Sequence, residues 1–134
     1  MKNLHKILKD GSADFIFGEC EYLNSISNSL MSIYKSRGYS EIQTPLIEYF
    51  DVFSGTETGQ MIKPEDVYSF FDDKNCRIAL RPDCTLPIAR VVATKIKNKS
   101  IPFRLCYSQK TIRVHSSPSE CIQCGVELIG DSGL

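Results

Sequence analysis

The chain has 134 residues, 42% of them hydrophobic and 24% charged, so it is long enough to fold around a core of its own. Sixteen Lys and Arg residues balance sixteen Asp and Glu residues, so the basic field typical of nucleic-acid-binding proteins is missing and nucleic acid is an unlikely partner. The N-terminus contains no continuous apolar run that predicts a signal peptide or a membrane span. We therefore expect a cytoplasmic protein without a membrane partner.

Six cysteines are scattered irregularly along the chain, which favours reduced thiols over disulfides in a cytoplasmic protein. Cys121 and Cys124, with His115 nearby, have the spacing of half a zinc site. Their segment alternates polar and apolar residues, however, and residues three apart on a strand point to opposite faces. Because no second ligand pair has the required spacing, we predict no metal site. We also expect no cofactor.

The N-terminal half begins with a polar stretch, residues 1–14, that we expect to be a loose lead-in to a single domain. Between Glu19 and Arg37 apolar residues recur at steps of three and four, and Gly38 follows at the position of a helix C-cap. This pattern predicts an amphipathic helix with one buried stripe. The stripe consists of Leu23, Ile26, Leu30, Ile33 and Tyr34.

The segment 38–48 is predicted to be short and extended, because Ile42 has polar neighbours and Pro45 cannot donate to a central ladder. We expect it at a sheet edge or an interface. A helical turn over 49–54 is predicted next. It is followed by a loop over 55–66 whose function the sequence does not indicate.

A β-hairpin is predicted where residues 67–71 and 76–80 flank a turn-forming Asp-Asp-Lys-Asn segment. Asp83 or Thr85 can then cap a second helix, which tolerates Pro87 in its first turn. That helix should end within residues 97–100. Its buried side is expected to contain Ile88, Ala89, Val91, Val92 and Ile96.

Two antiparallel strands are predicted over 103–114 and 121–129, joined by the polar link 115–120. Alternation divides the second strand into a core face and a polar face interrupted by small residues. The core face should hold Ile122, Cys124, Val126 and Leu128, and the polar face Cys121, Gln123, Gly125 and Glu127.

On the first of these strands the residues Tyr107, Gln109, Thr111 and Arg113 share one face. Antiparallel pairing would unite that face with the polar face of the second strand over one concave surface. Within it, Gly125 would let a ligand approach the backbone closely.

These groups suit a ligand with a cationic and an anionic end. Asp83 and Glu127 accept hydrogen bonds from cationic donors, and Arg113 can bind a carboxylate or phosphate through two N–H groups. The alternative is a solvated sheet face with Arg–Glu pairs, each contributing about 0.2–1 kcal/mol, and with Asp83 and Thr85 acting only as helix caps. Periodicity alone favours the solvated face.

Four blocks, taken in order, carry a family resemblance. They are Gly38 to Glu48, Leu80-Arg81-Pro82-Asp83-Cys84-Thr85, Arg104 to Arg113, and Gln123 to Gly130. Together they resemble the catalytic core of the histidyl-tRNA synthetase family, and within it the paralogous regulatory subunit of ATP phosphoribosyltransferase. The resemblance implies an α+β fold, a class II aminoacyl-tRNA synthetase-like antiparallel sheet with flanking helices. Residues 15–134 would form only the N-terminal portion of that core.

The resemblance also implies roles for individual residues. Asp83 and Thr85 match residues near the amino group of bound histidine, and Gln123 matches a further contact to the amino acid. Glu127 matches the floor of the pocket, and Arg113 matches the arginine that binds the α-phosphate of ATP and the amino-acid carboxylate in a synthetase. The segment around Pro45 matches the dimer interface, and the block from Arg81 to Thr85 as a whole helps to bind histidine.

Departures from the synthetase pattern favour the regulatory relative. Asp83 stands where a synthetase has Glu, and residues 114–122 contain no Lys or Arg to neutralise a triphosphate. The sequence also ends before the family's further strands, its histidine-specific block and its third motif. These residues alone should therefore not aminoacylate anything.

The resemblance thus implies a non-catalytic, histidine-sensing regulatory subunit needed for the first step of histidine biosynthesis. It would form a homodimer through Pro45 within a hetero-oligomer containing the short catalytic form of ATP phosphoribosyltransferase, with histidine as effector. One alternative is the N-terminal catalytic fragment of a histidyl-tRNA synthetase. A free-standing amino-acid-binding domain is the third interpretation.

Overall fold

A computed structural model of the chain describes residues 7–54, 62–96 and 98–130. Within those ranges six strands form two three-stranded sheets, and helices flank them. The elements are α1 (Gly18–Ser36), β1 (Ser40–Glu41), β2 (Ile47–Tyr49), α2 (Asp51–Ser54), a 3-10 helix (Pro64–Asp66), β3 (Ser69–Phe71), β4 (Arg77–Leu80), α3 (Thr85–Thr94), β5 (Phe103–Ile112) and β6 (Glu120–Ile129). Of the loop predicted over 55–66, residues 55–61 lie outside the described ranges.

Helix α1 confirms the predicted helix, including its C-terminal stop. Gly38 has a φ of 81°, a conformation that glycine adopts without steric cost. Its N–H donates to the Lys35 carbonyl at 3.0 Å, and the N–H of Tyr39 donates to the Tyr34 carbonyl at 3.2 Å. These two bonds form a Schellman motif, which satisfies carbonyls that the helix end would otherwise leave free.

The buried stripe of α1 differs from the predicted one. Met31 is the buried residue, whereas Ile26 and Ile33 are 41% and 55% exposed, so their predicted burial was wrong. The helix packs on β5 and β6. Ile26 and Ile33 each precede a half-buried residue, Ser27 and Tyr34. One residue is about 100° around the helix, so Ile26 and Ile33 point away from the sheet. The half-buried residues on the packed side are Leu23, Ser27, Leu30 and Tyr34.

The first sheet has the order β1-β5-β6. Strands β5 and β6 pair antiparallel over ten residues each, from Phe103 opposite Ile129 to Ile112 opposite Glu120. The two predicted C-terminal strands are therefore confirmed. The short β1 is a parallel edge strand, with Ser40 opposite Leu105.

The predicted hairpin is confirmed as β3 and β4, and β2 extends it on the other side to give the order β2-β4-β3. These strands form a separate sheet instead of joining β5 and β6. The hairpin turn is held by Asp72, whose carboxylate oxygen accepts the N–H groups of Lys74 at 3.0 Å and Cys76 at 2.7 Å. Asn75 takes the left-handed conformation there, with a φ of 61°.

The predicted core face of β6 is wrong. Ile122, Val126 and Leu128 are 48%, 40% and 46% exposed, whereas the opposite, polar face is half-buried. The reason lies in β5, whose apolar Leu105 and Tyr107 share the polar face of β6 by register. That face is therefore the one on which α3 packs. The resulting core contains Cys84, Ile88, Leu105 and Tyr107.

Arg81 connects the two sheets. Its side chain is 3% exposed and donates to the Thr44 carbonyl at 2.9 Å, the Gln109 side-chain oxygen at 2.8 Å and the Lys110 carbonyl at 2.6 Å. These acceptors belong to β5 and to the segment between β1 and β2. Arg81 thus holds the segment leading to Pro45 against β5 through its bond to Thr44.

Two further points concern the lead-in and the membrane. Residues 1–6 of the predicted lead-in lie outside the described ranges, while Gly11 is hydrogen-bonded to Ser119 of the link after β5. Within the described part of the chain, no helix combines the length and apolarity needed to cross a bilayer.

Candidate functional site: a polar cluster between α3 and β6

The start of α3 places Asp83 and Thr85 beside the sheet. Asp83 accepts the backbone N–H of Thr85 through one carboxylate oxygen at 2.7 Å. This local bond turns the chain into the helix, which begins at Thr85 and has no side-chain bond from its N-cap residue, Cys84. The helix ends at Thr94, earlier than the predicted stop within 97–100.

Two hydrogen bonds join this helix start to the polar face of β6. The second carboxylate oxygen of Asp83 accepts from the Gln123 amide nitrogen at 3.2 Å. The hydroxyl of Thr85 donates to Glu127 at 2.8 Å. Four of the predicted site residues, Asp83, Thr85, Gln123 and Glu127, therefore lie in one cluster, defined here as the polar cluster.

Gln123 has one buried polar atom without a partner. Its side-chain oxygen is inaccessible to solvent and accepts no hydrogen bond from the described residues. The bond from its amide nitrogen to Asp83 fixes which end of the amide is the oxygen. Leaving such an acceptor unpaired costs about 1–3 kcal/mol, and a ligand N–H would be bound favourably there once neighbouring side chains move to admit it.

Tyr107 occupies the space that we assigned to a ligand at Gly125. The two residues lie opposite each other, and a Cβ at position 125 would come within 2.6 Å of the Tyr107 hydroxyl oxygen. The expectation that Gly125 admits a ligand to the backbone was therefore wrong, because the glycine admits the phenol instead. Burial, reinforced by the negative charge of Glu127, raises the pKa of Tyr107 to about 12. The phenol therefore stays protonated at neutral pH.

Gln109 also has a different role from the predicted one. It is 8% exposed, and its side-chain oxygen accepts from the backbone N–H of Thr44 at 2.9 Å and from Arg81 at 2.8 Å. It shares the predicted face but holds the β1–β2 segment, so it does not belong to the polar cluster. Arg81, from the predicted histidine-binding block, likewise holds the β1–β2 segment, through its bonds to Thr44 and Gln109.

Arg113 lies at the edge of the polar cluster. Its side chain is exposed, and its Nε donates to the Pro82 carbonyl at 2.9 Å, one residue before Asp83. No carboxylate in the described ranges forms an ion pair with it. A cationic guanidinium thus stands beside a cluster containing two carboxylates, those of Asp83 and Glu127. This arrangement matches a ligand that carries both signs of charge.

The cysteines around the site are unpaired. Burial raises the pKa of the Cys84 thiol to about 11, so it is not a nucleophile at neutral pH. Cys121 contacts Thr111 at 3.2 Å, and Cys124 donates to Ser108 at 3.3 Å on the other face of the sheet. In the part of the chain that the structure describes, no three His, Cys, Asp or Glu side chains are grouped to hold a metal ion.

Pro45 lies in the exposed part of the β1–β2 segment. Its neighbour Thr44 is buried, whereas Leu46, Ile47 and Tyr49 are 36%, 49% and 58% exposed. An exposed apolar segment held rigidly by Arg81 is a suitable subunit contact. The dimer interface at Pro45 stays a prediction.

Solved structures share this fold. The ATP phosphoribosyltransferase regulatory subunit/histidyl-tRNA synthetase from Bacillus halodurans C superposes with a TM-score of 0.86 at 30% identity, over 99% of this chain and 34% of that one. The apo histidyl-tRNA synthetase of S. aureus gives a TM-score of 0.77 at 26% identity, over 94% and 30% of the two chains. These likenesses define the chain as a class II aminoacyl-tRNA synthetase-like protein.

The chain belongs to the histidyl-tRNA synthetase family, whose model matches residues 11–134. It is 39% identical to the ATP phosphoribosyltransferase regulatory subunit of Clostridium acetobutylicum, over 100% of this chain and 33% of that protein. It is 38% identical to the subunit of the same name from Bacillus mycoides, over 90% and 29%. The chain thus spans about a third of the length of these relatives, and the resemblance of its four blocks is confirmed.

Proposed function

We propose that this chain is part of a histidine-sensing regulatory subunit of ATP phosphoribosyltransferase, which binds histidine without activating it. The observation that carries the proposal is the polar cluster, where the unpaired buried oxygen of Gln123 lies next to Asp83. Such a group is expected where a ligand supplies the missing donor. The cytoplasmic location predicted from the sequence is part of the same proposal.

The charges of the cluster fit histidine in a definite orientation. The ammonium and imidazole are the donors of the amino acid, and Asp83, Gln123 and Glu127 offer acceptors for them. The carboxylate is its anionic group, and the exposed Arg113 guanidinium is the cation beside the cluster. Thr85 adds a neutral hydroxyl group. Tyr107 adds another, because its phenol stays protonated.

The link between β5 and β6 supports binding without activation. Adenylate formation requires cations or a metal around the triphosphate of ATP, and residues 114–122 contain no Lys or Arg. The link is also held in place at both ends. Val114 donates to the Asp66 carbonyl at 3.4 Å, and Ser119 donates to the Gly11 carbonyl at 2.7 Å.

The proposed partners are a second copy of the subunit and a catalytic ATP phosphoribosyltransferase subunit. The names of the relatives from Clostridium acetobutylicum and Bacillus mycoides support the second of these. Catalysis would occur in the partner, joining ATP to phosphoribosyl pyrophosphate. Histidine can inhibit that reaction only if it binds one conformation of the assembly more tightly than the other.

The test is reconstitution of the complex. The full-length protein is combined with the short catalytic subunit, and phosphoribosyl transfer is measured with and without histidine. Activity should require both subunits, and histidine should inhibit it. The variant Asp83→Asn should keep the activity but need more histidine for inhibition, whereas Asp73→Asn in the exposed hairpin turn is the matched control. Full activity of the catalytic subunit alone would refute the proposal.

A second candidate function is that of a histidyl-tRNA synthetase. One observation is compatible with it: Arg113, which matches the arginine that binds the α-phosphate in synthetases, is present and exposed. The same arginine serves a histidine sensor by binding the carboxylate, so it does not separate the two functions. ATP-dependent activation of histidine does separate them.

A further inference from the structure

A chain of hydrogen bonds runs from the segment before α1 to the edge of the polar cluster. The Gly11 carbonyl accepts the backbone N–H of Ser119 at 2.7 Å and its hydroxyl at 3.0 Å. The Ser119 carbonyl accepts the backbone N–H of Arg113 at 2.7 Å. The Arg113 side chain then donates to the Pro82 carbonyl at 2.9 Å. Hydrogen bonds therefore connect the segment before α1 to the link, and the link to the edge of the polar cluster.

Ser119 is the one buried residue of the link 115–120. It is 5% exposed, whereas its neighbours Ser117 and Pro118 are exposed. A buried hydroxyl with a partner is costly to disturb, since its loss leaves the facing carbonyl with fewer donors. The contact between Ser119 and Gly11 thus attaches the second end of the link, while Val114 and Asp66 attach the first.

Gly11 has a backbone conformation and a lack of side chain that allow its close contact with Ser119. Its φ of 80° is strained for any residue with a side chain. A Cβ at this position would lie 3.0 Å from the Ser119 hydroxyl oxygen and 3.2 Å from the Ser119 nitrogen. Lys9 adds a second attachment of the same segment, with its ammonium 5.5 Å from the centre of the Tyr68 ring. Residues 9–12 therefore form a fixed strap, named here the N-terminal strap.

We propose that Ser119 is a positioning residue that couples the N-terminal strap to Arg113, and that the strap thereby sets how tightly the carboxylate of the ligand is bound. The inference rests on the proposed function, in which Arg113 binds that carboxylate. Arg113 is exposed and long, so its guanidinium loses rotamer freedom when it binds an anion. Fixing its backbone at Ser119 keeps the Nε of Arg113 within reach of the Pro82 carbonyl, and that bond leaves less rotamer freedom to be lost on binding.

The coupling acts on only one end of the ligand. Asp83, Gln123 and Glu127 are attached to α3 and β6, and none of their described hydrogen bonds passes through the strap. Releasing Ser119 should therefore weaken binding of histidine, which has a carboxylate. It should leave binding of histamine unchanged, because histamine keeps the ammonium and imidazole but lacks the carboxylate.

The test uses the full-length protein with the variants Gly11→Ala, Ser119→Ala and their combination. Calorimetric titration with histidine and with histamine measures both affinities. We expect Gly11→Ala to weaken histidine binding by about tenfold, and the double variant to be no weaker than the stronger single one. Ser117→Ala, in the same link, is the matched control and should bind both ligands like the wild type. Equal losses for histidine and histamine, or no loss, would overturn the proposal.

A second measurement needs no ligand. The backbone N–H of Arg113 is bonded to Ser119, so its hydrogen exchange reports on the link directly. Gly11→Ala should accelerate this exchange by about tenfold or more, while the paired amides in the middle of β5 exchange as before. Unchanged exchange at Arg113 would overturn the coupling even if the wild type bound no histidine. Failure of the wild type to bind histidine, with accelerated exchange in the variant, would instead refute the proposed function.

Discussion

Replacing Glu127 with Gln tests the polar cluster with little disturbance of its shape. Glu127 accepts the Thr85 hydroxyl at 2.8 Å, and the amide oxygen of Gln can accept the same bond. The fold should therefore lose less than about 1 kcal/mol. The negative charge is lost, however, and with it the charge-assisted part of any bond to an ammonium or imidazolium.

The expected effect on binding follows from that difference. A hydrogen bond to a charged group contributes about 1.5–3 kcal/mol, compared with about 0.5–1.5 kcal/mol for a neutral one. Glu127→Gln should therefore weaken histidine binding by about 1–1.5 kcal/mol, or roughly 5-fold to 13-fold. Calorimetric titration of the full-length protein measures it, and a thermal melt checks that the variant is folded.

The matched control for this variant is Glu41→Gln. Glu41 is exposed and pairs with Lys35 at 2.6 Å, away from the polar cluster, so its loss should leave histidine affinity unchanged. If Glu127→Gln is folded and binds histidine like the wild type, Glu127 does not contact the ligand. The solvated-face interpretation of β6 would then be correct at this position.

Three further predictions concern the scaffold around the cluster. Arg81→Met should destabilise the protein by about 3 kcal/mol or more in urea unfolding, since it leaves several buried acceptors without donors; equal stability would show that these bonds contribute nothing. Gly125→Ala should cost about 1–3 kcal/mol and displace the Tyr107 phenol, visible as lost near-ultraviolet circular dichroism, because the added Cβ overlaps its hydroxyl; an unchanged spectrum would contradict the overlap. The folded-state pKa of Tyr107 is raised from 10.0 to about 12, so its contribution to stability is complete below pH 10 and is lost as the pH rises to about 12. Unfolding measured across that range should show a larger loss in the wild type than in Tyr107→Phe, because both proteins keep the buried Cys84 thiol, whose raised pKa makes both less stable at high pH.

Local patterns predicted the elements well. The period of α1, the Gly38 stop and the turn residues between β3 and β4 each depend on neighbours within a few positions, and each was confirmed. The shared face of β5 and β6 also followed from alternation and antiparallel register. Those rules are local or depend on a single pairing, which a sequence shows directly.

The errors have a different cause, because they depend on contacts between distant segments. Gln109 has the right face for the site, but its oxygen is used by Arg81, 28 residues away along the chain. The apolar residues of β6 are exposed although α1 packs on β5 and β6, because the buried core with Ile88 forms on the opposite face, over Leu105 and Tyr107. The space above Gly125 is filled by the phenol of Tyr107, its cross-strand neighbour. Alternation shows that the space exists but does not show whether a side chain or a ligand fills it.

The central claim is that this subunit binds histidine without activating it. Histidine-dependent exchange between ATP and pyrophosphate, measured on the full-length protein, tests that claim most directly. The account predicts no exchange above background at histidine concentrations that saturate the protein in a calorimetric titration. Robust exchange that depends on histidine would contradict it and identify the protein as an aminoacyl-tRNA synthetase.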